Sequence, residues 1–273
     1  MGNGGNTGGI REIRKSLVKA KLAVGKPVMV VKQNYPLPWV TEMIGKMGFD
    51  CVWFCLEHLP WSLETSANIA LASRAANIDL VLRAARGEYM RIGRMLEIGA
   101  TGIMLARSDN LKEIKDLITW TKFPPLGRRG VDAVNADADM GLADFEEYLR
   151  WVNRETFTVV QIESLSAIDC CEQIAETEGV DILYIGPGDL TLNLGIDSPT
   201  LEKDMEAAVK RLAKAAEKAG KVWGMPAVGE DEVKKRLDQG ARFLHTCADC
   251  ILTMQGLMEV REKMSKLGFE FHP

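Results

Sequence analysis

Two acidic residues, Glu163 and Asp189, are spaced so that they could share a metal ion. Each follows a short apolar run, residues 158–162 in one case and 182–185 in the other, and a helix-like segment separates the runs. This order is typical of a strand, helix, strand unit in a parallel sheet, whose strand ends meet at one edge. Two carboxylates there suit a hard divalent cation, which prefers oxygen ligands. In the structural alternative, Glu163 caps the following helix and Asp189 belongs to a polar turn.

Other predicted strand ends carry further reactive side chains. They are Lys32, Gln33, Glu57, His58, Arg83, Gln161, Gly186, Gly188, His245 and Asp249. One imidazole, one guanidinium and two carboxylates on one rim could move a proton, bind an anionic oxygen and hold a metal. The structural alternatives are that His58 caps a helix and that Arg83 forms a surface ion pair.

An alternation of strand-like and helix-like segments positions these residues. The predicted strands are 27–32, 51–57, 79–84, 102–106, 158–163, 182–186, 222–227 and 242–247, each followed by a helix. Eight such units in 273 residues predict a single (β/α)₈ barrel rather than an open doubly wound sheet. The barrel domain would cover residues 10–273, with a first helix over 10–23, and the glycine-rich residues 1–9 would be disordered.

The longest irregular segment, residues 123–145, is rich in Gly, Pro and Asp. We expect it to be too polar for the core. Long irregular loops in compact domains are usually functional, so we predict a lid or an oligomer contact here.

The composition limits the class of protein. Apolar residues make up 47% and charged residues 26%, as in soluble globular enzymes. A net charge of −4 argues against nucleic-acid binding, and no apolar run is long enough to cross a bilayer. The six cysteines lie in or beside apolar segments, which indicates reduced thiols in a cytoplasmic protein. Cys247 and Cys250 form a C-x-x-C without a second pair, so we expect no zinc or redox site.

Five motifs, taken together, resemble the HpcH/HpaI aldolases, metal-dependent pyruvate aldolases of the phosphoenolpyruvate/pyruvate barrel superfamily. They are GFDCVWFCLEH at 48–58, LVLRAARGE with LEIGATGI at 80–103, FPPLGRRG at 123–130, VVQIES at 159–164 and YIGPGDLT at 184–191. The resemblance extends over residues 27–266, nearly the whole predicted domain.

The resemblance implies a metal centre and a pyruvate site. Glu163 and Asp189 match the family's metal ligands, which would hold Mg²⁺ or Mn²⁺, with Co²⁺ as a further candidate. Gln161, Gly188 and Asp189 match positions that bind the pyruvyl part of the substrate.

The resemblance also implies catalytic roles. His58 matches the catalytic base, and Arg83 matches the residue that stabilises the enolate oxygen. Glu97 falls where the family has an aspartate that increases the basicity of this histidine. The chain departs from the family's D-G-E-H motif, because Cys55 stands in place of the aspartate.

The predicted activity is therefore cleavage of a 4-hydroxy-2-oxo acid to pyruvate and an aldehyde, or the reverse condensation, in a homo-oligomer that the resemblance suggests is a hexamer. Three alternatives stay open. One is a lyase or decarboxylase that acts on another 2-oxo acid through the same metal and enolate. Another is a Schiff-base aldolase that uses Lys32, and the last is a non-catalytic metabolite-binding barrel.

Overall fold

The computed structural model describes residues 13–88 and 91–272, which form a closed eight-stranded barrel. The strands are β1 (Val28–Gln33), β2 (Cys51–Cys55), β3 (Asp79–Ala84), β4 (Gly102–Leu105), β5 (Phe157–Ile162), β6 (Ile182–Ile185), β7 (Val222–Pro226) and β8 (Phe243–Ala248). Each strand pairs in parallel with the next, and β8 pairs with β1. The predicted (β/α)₈ barrel is confirmed, and all the strand ends meet at one rim.

Helices surround the barrel. They are α1 (Leu17–Ala23), α2 (Pro38–Lys46), α3 (Leu63–Ala75), α4 (Ile92–Glu97), α5 (Leu111–Thr121), a 3₁₀ helix (Ala136–Gly141), α6 (Phe145–Glu155), α7 (Leu165–Asp169), α8 (Cys171–Glu176), α9 (Pro187–Leu194), α10 (Leu201–Lys218), α11 (Glu230–Asp238) and α12 (Asp249–Ser265). In the described part of the chain, no helix is both long enough and apolar enough to span a bilayer.

The strands are apolar on both faces because both faces are buried. Val81, Met104, Val159 and Phe243 belong to the cluster that fills the barrel interior. The residues that alternate with them pack beneath the surrounding helices in a second, larger cluster. Polar side chains replace this packing at the carboxyl-terminal mouth, where a cavity opens among them.

The amino-terminal end of the barrel is closed by α1. Val18 joins the interior cluster, and the buried carboxylate of Asp79 accepts hydrogen bonds from Ser16 Oγ and from the main-chain nitrogen of Val18. The helix predicted over 10–23 begins at Leu17, because the Ser16 side chain caps it. Residues 10–12, and the tail predicted over 1–9, lie outside the described residues.

The expectation that segment 123–145 stays outside the core was wrong. Phe123 and Ala138 are each 1% exposed and pack in a small third cluster against α6. One buried ion pair lies beside that cluster, with 2.5 Å between Arg129 Nη2 and Asp137 Oδ2. The polar segment therefore contains a few apolar side chains that are buried, and a buried ion pair lies next to them.

The C-terminal helix α12 is exposed along almost its whole length. Its apolar residues Ile251, Leu252, Met254, Leu257, Met258 and Val260 are between 44% and 66% exposed. On α2, Trp39 is 86% and Met43 is 55% exposed. A surface of this kind on a single chain indicates an interaction face.

Candidate active site and metal centre

The carboxyl-terminal mouth of the barrel contains a cavity of about 230 Å³. It is lined by Lys32, Trp53, His58, Arg83, Gln161, Glu163, Tyr184, Gly186, Pro187, Gly188, Asp189, Pro226 and His245. All the predicted site residues except Glu97 lie here. Larger hollows, of about 340 and 570 Å³, are lined by residues outside the mouth. The mouth is the candidate site, because it alone of these three contains the reactive strand ends.

Glu163 directly follows β5 and is 3% exposed. Its Oε1 atom accepts a 2.6 Å hydrogen bond from the main-chain nitrogen of Arg107. A Cβ atom at Gly186 would collide with Glu163 Oε2, so only glycine allows this close approach. Burial raises the pKa of Glu163 to about 7, and the negative charges of Asp189 and Glu57 act in the same direction. A bound cation would offset both effects.

Asp189 lies in the first turn of α9 rather than in a loop. Asn193 Nδ2 donates hydrogen bonds to the main-chain oxygens of Asp189, at 2.9 Å, and of Glu163, at 3.3 Å. The two acidic residues are thus tied together through their backbones. Gly188 precedes Asp189 in the same turn, where helical N–H groups have no intrahelical acceptor and suit an anionic group.

The two carboxylates fit a hard divalent cation whose other positions are filled by water and substrate, as is usual for Mg²⁺. Within residues 13–88 and 91–272, no group of three or more His, Cys, Asp or Glu side chains could hold a metal. Glu163 and Asp189 are the candidate ligands at the mouth among the described residues. One positive charge is close to them, since Arg107 Nη1 lies 3.9 Å from Asp189 Oδ1.

Arg83, at the end of β3, is 4% exposed and held on several sides. Its Nε and Nη2 atoms donate to Cys55 Sγ, at 3.3 and 3.0 Å, and its Nη1 atom donates to Gln161 Oε1 at 3.3 Å. The Cζ atom lies 4.8 Å from the centroid of the Trp53 ring. These contacts fix the guanidinium in one orientation at the mouth.

His58 lies beside Glu57. Its Nε2 atom is 3.3 Å from Glu57 Oε2, and Arg83 Nε is 3.2 Å from the same oxygen. Neither contact has hydrogen-bond geometry, and Glu57 Oε2 has no hydrogen-bond partner among the described residues. The His58 side chain is 59% exposed, so a substrate can reach it from the open side of the cavity.

The structural alternatives for these residues were wrong. Ser62 caps α3 in place of His58, and Ser164 caps α7 in place of Glu163. Arg83 is buried rather than part of a surface ion pair.

Glu97 lies elsewhere. Burial raises the pKa of its carboxyl, and the nearby charges that act most strongly on it are those of Arg129 and Asp137. The reason is geometric: α4 runs back from the mouth, so its last residue points away from the site. The structure thus places Glu97 near segment 123–145, and the carboxylate next to His58 belongs to Glu57.

Two other strand-end residues support the loop after β1. Gln33 Nε2 donates to the main-chain oxygens of Tyr35 and Leu37, at 2.8 and 3.0 Å. Asp249 accepts from the main-chain nitrogens of Asn34 and Tyr35, at 2.8 and 2.9 Å. Their polar groups are occupied by backbone partners, which indicates a structural role.

Trp53 and Tyr184 line the cavity, although sequence reasoning gave them no role. It gave no role to His245 beyond its place at a strand end, and it gave Lys32 one only in the Schiff-base alternative. The missed signal was the alternation of each strand, because Trp53 and Tyr184 follow the interior residues Cys51 and Ile182 by two positions.

Comparison with known proteins gives a consistent assignment. Residues 36–255 match the model of the family described as HpcH/HpaI aldolase/citrate lyase. The chain is 32% identical to a hydroxypyruvate/pyruvate aldolase of Paraburkholderia phytofirmans, over 89% of this chain and 97% of that protein. It is 29% identical to a 2-keto-3-deoxy-L-rhamnonate aldolase of Escherichia coli, over 92% and 93% of the two chains.

A solved HpcH/HpaI aldolase from Desulfitobacterium hafniense superposes with a TM-score of 0.84 and 25% identity, covering 94% of this chain and 99% of the other. The match of the family model to most of the chain, together with this shared barrel, shows that the protein belongs to the HpcH/HpaI aldolase/citrate lyase family and is a carbon–carbon lyase.

Proposed function

We propose that the protein cleaves a short 4-hydroxy-2-oxo acid to pyruvate and an aldehyde, and that it catalyses the reverse condensation. One observation carries the proposal: a single cavity is lined by Glu163 and Asp189, together with Arg83 and His58. The cavity of about 230 Å³ has room for roughly eight water-sized groups, which favours a short substrate.

Glu163 and Asp189 would hold the cation, Mg²⁺ or Mn²⁺ with Co²⁺ as a further candidate, because these metals accept carboxylate ligands. When bound, the cation supplies Lewis-acid stabilisation of the charge that develops on the ketone oxygen. Gln161 and the first turn of α9, at Gly188 and Asp189, would bind the pyruvyl oxygens.

Arg83 would donate to the oxygen of the forming enolate. Its guanidinium is already oriented by Cys55 and Gln161, so little reorganisation is needed as the charge develops. In the cleavage step the C3–C4 bond breaks, its electron pair forms the enolate, and the aldehyde leaves. The enolate then takes up a proton at C3 to give pyruvate.

His58 would accept the proton of the 4-hydroxyl group as that bond breaks. Glu57 Oε2, 3.3 Å from His58 Nε2, would stabilise the imidazolium that forms. Because His58 is more than half exposed, the proton can afterwards pass to water.

The test is pyruvate release from 4-hydroxy-2-oxo acids of increasing chain length, with Mg²⁺ or Mn²⁺ present. We expect turnover of at least one of them, and His58→Ala should lower it by about 10² to 10⁴-fold. The exposed His272 provides a matched control, and His272→Ala should leave the rate unchanged. Pyruvate binding without any turnover would indicate a non-catalytic barrel, and release of CO₂ without aldehyde would indicate a decarboxylase.

We also propose a homo-oligomer, with a hexamer as the expected form, in the cytoplasm. The exposed apolar faces of α12 and α2 support association, and the six free cysteines suit a reducing compartment. Light scattering at micromolar concentration should give a multiple of the 30.2 kDa chain mass, and Leu257→Glu should reduce it. A monomeric mass for the unmodified protein would contradict the assembly.

A further inference from the structure

The turn that follows β4 brings one residue, Arg107, against both candidate metal ligands. Its main-chain nitrogen donates a 2.6 Å hydrogen bond to Glu163 Oε1. Its guanidinium lies on the other carboxylate, with 3.9 Å between Nη1 and Asp189 Oδ1. Arg107 is not itself a candidate ligand, because an arginine side chain has no atom that can accept or coordinate. It therefore contacts the metal site from outside the ligand set.

The backbone of Arg107 is strained. Its φ angle is +49°, a left-handed conformation that glycine and asparagine tolerate better than arginine does. The next two residues anchor the turn: Ser108 is 1% exposed and its Oγ donates to the main-chain oxygen of Leu105, and Asp109 Oδ2 lies 2.8 Å from Arg86 Nη1. Such strain persists where the surroundings fix it, often at functional sites. Here it directs the Arg107 N–H group at Glu163.

The backbone contact of Arg107 favours metal binding. Burial raises the pKa of Glu163 to about 7, and the hydrogen bond from the Arg107 main chain acts against this effect. The hydrogen bond thus stabilises the charged carboxylate, which is the form that coordinates a metal. Every amino acid except proline supplies this N–H group, so the contact does not explain why the residue is an arginine.

The side chain of Arg107 is held loosely. Among the described residues, its guanidinium pairs with Asp189 and donates no hydrogen bond. The Arg107 side chain is 53% exposed and that of Asp189 is 34% exposed. An exposed ion pair of this kind contributes little free energy, so the guanidinium can leave Asp189 at small cost.

A metal ion at Asp189 would meet the positive charge of Arg107. A Mg²⁺–oxygen bond is about 2.1 Å long, so an ion bound to Asp189 Oδ1 would lie within about 6 Å of Arg107 Nη1 as the guanidinium now stands. This distance is shorter than the Debye length of about 10 Å at 0.1 M salt, so solvent ions screen the repulsion only in part. The two cations would therefore compete for one carboxylate.

We propose that the Arg107 side chain is a tethered cation that competes with the metal for Asp189 and sets the metal affinity of the site. The guanidinium moves away from Asp189 when the metal binds, while the main-chain contact to Glu163 is retained. This inference rests on the metal ligands of the proposed function. It makes occupancy of the site depend on the concentration of the free cation.

The test is calorimetric titration of the full-length protein with Mn²⁺ at low ionic strength, without substrate. Arg107→Asn removes the charge and suits the left-handed backbone, so it should fold normally. It should bind Mn²⁺ about tenfold more tightly, which is the repulsion in water between a divalent and a monovalent cation about 6 Å apart. In 0.5 M salt the gain should fall below about threefold, because the charges are screened.

Two further variants separate the charge of Arg107 from its other properties. Arg107→Lys keeps the charge and should stay within about threefold of the unmodified protein. Arg150→Gln removes the same charge from an exposed position on α6 and should leave the affinity unchanged. Glu163→Gln should abolish the heat of binding in both the unmodified and the Arg107→Asn protein, which assigns the heat to this site.

Unchanged or weaker Mn²⁺ binding in Arg107→Asn would overturn the inference and leave the metal site intact. An equal gain in Arg107→Asn and Arg107→Lys would also overturn it, because the charge would then have no part in the effect. Absence of Mn²⁺ binding in both the unmodified protein and Arg107→Asn would contradict the metal ligands of the proposed function, and the inference with them.

Discussion

Two parts of the cavity differ in how their polar side chains are held in place. On the β5 and β6 side, Glu163 accepts a main-chain hydrogen bond from Arg107, and Asn193 joins the backbones of both acidic residues. Trp53, Tyr184 and His245, on β2, β6 and β8, form a ring cluster whose polar side-chain atoms are buried without hydrogen bonds among the described residues.

This difference indicates which part of the cavity is suited to hold a cation. The Glu163 carboxylate is held by a backbone group and has little freedom, so the acidic side suits a cation that must stay in one place during chemistry. The ring cluster is held instead by edge-to-face packing of Tyr184 and His245 on Trp53, at centroid distances of 5.9 and 5.3 Å. We therefore expect substitutions on the acidic side to lower activity far more than conservative substitutions in the ring cluster.

The largest effect should come from the acidic side. Glu163→Gln or Asp189→Asn should each lower kcat/KM by about 10³-fold or more, because the Lewis acid is worth several kcal/mol. EDTA should abolish activity in the unmodified protein, and Mg²⁺, Mn²⁺ or Co²⁺ should restore it. Asp197→Asn, at an exposed site beyond α9, should have no effect. Full activity in EDTA, with pyruvate trapped on Lys32 by borohydride, would instead establish the Schiff-base alternative.

Arg83 packs on the Trp53 ring and donates to Gln161, and Arg83→Lys should lower kcat by about 10²-fold while metal affinity is retained. Lysine cannot reproduce the planar fork that contacts Cys55 and Gln161 together. Steady-state rates and metal titration of the same preparation measure both quantities, with the exposed Arg91→Lys as control. A near-native rate in Arg83→Lys would make this residue structural.

The buried Glu163 carboxylate should also lower the free energy of unfolding when no metal is bound. Burial raises the pKa of Glu163 from 4.5 to about 7, so the folded state keeps a proton that the unfolded state releases as pH rises through this window. The free energy of unfolding of the metal-free protein should therefore fall between about pH 4.5 and pH 7. Glu163→Gln removes this loss and should be more stable at pH 8 by on the order of 1 to 2 kcal/mol.

Urea unfolding in EDTA at pH 5 and pH 8 measures this difference. The two proteins should differ less at pH 5, where Glu163 is protonated in the folded protein. Equal midpoints at pH 8 would show that the Glu163 charge is already compensated without metal.

The smallest expected effect is the difference in kcat/KM between substitutions of Glu57 and of Glu97. Glu57→Gln should lower kcat/KM about tenfold, because it removes the negative charge beside the His58 imidazolium that forms during the reaction. Glu97→Gln should change kcat/KM less than about threefold, since its charged neighbours are Arg129 and Asp137. The opposite result, a larger loss in Glu97→Gln than in Glu57→Gln, would support the catalytic role implied by the family resemblance.

The sequence by itself determined the barrel and one rim of polar residues. Strand and helix periodicity reflects burial of each element against its neighbours, so eight alternating units were sufficient to predict closure. In a parallel barrel all strands end at the same rim, and this brought His58, Arg83, Glu163 and Asp189 into one cavity as predicted.

Only the tertiary structure decided which side chains meet. It placed Glu57 rather than Glu97 beside His58, because the direction of α4 carries its last residue away from the mouth. It also packed Phe123 and Ala138 from the polar segment against α6. The unpaired atoms of Trp53, Tyr184 and His245 depend on packing among three strands distant in sequence, and no local pattern records whether a buried polar atom finds a partner.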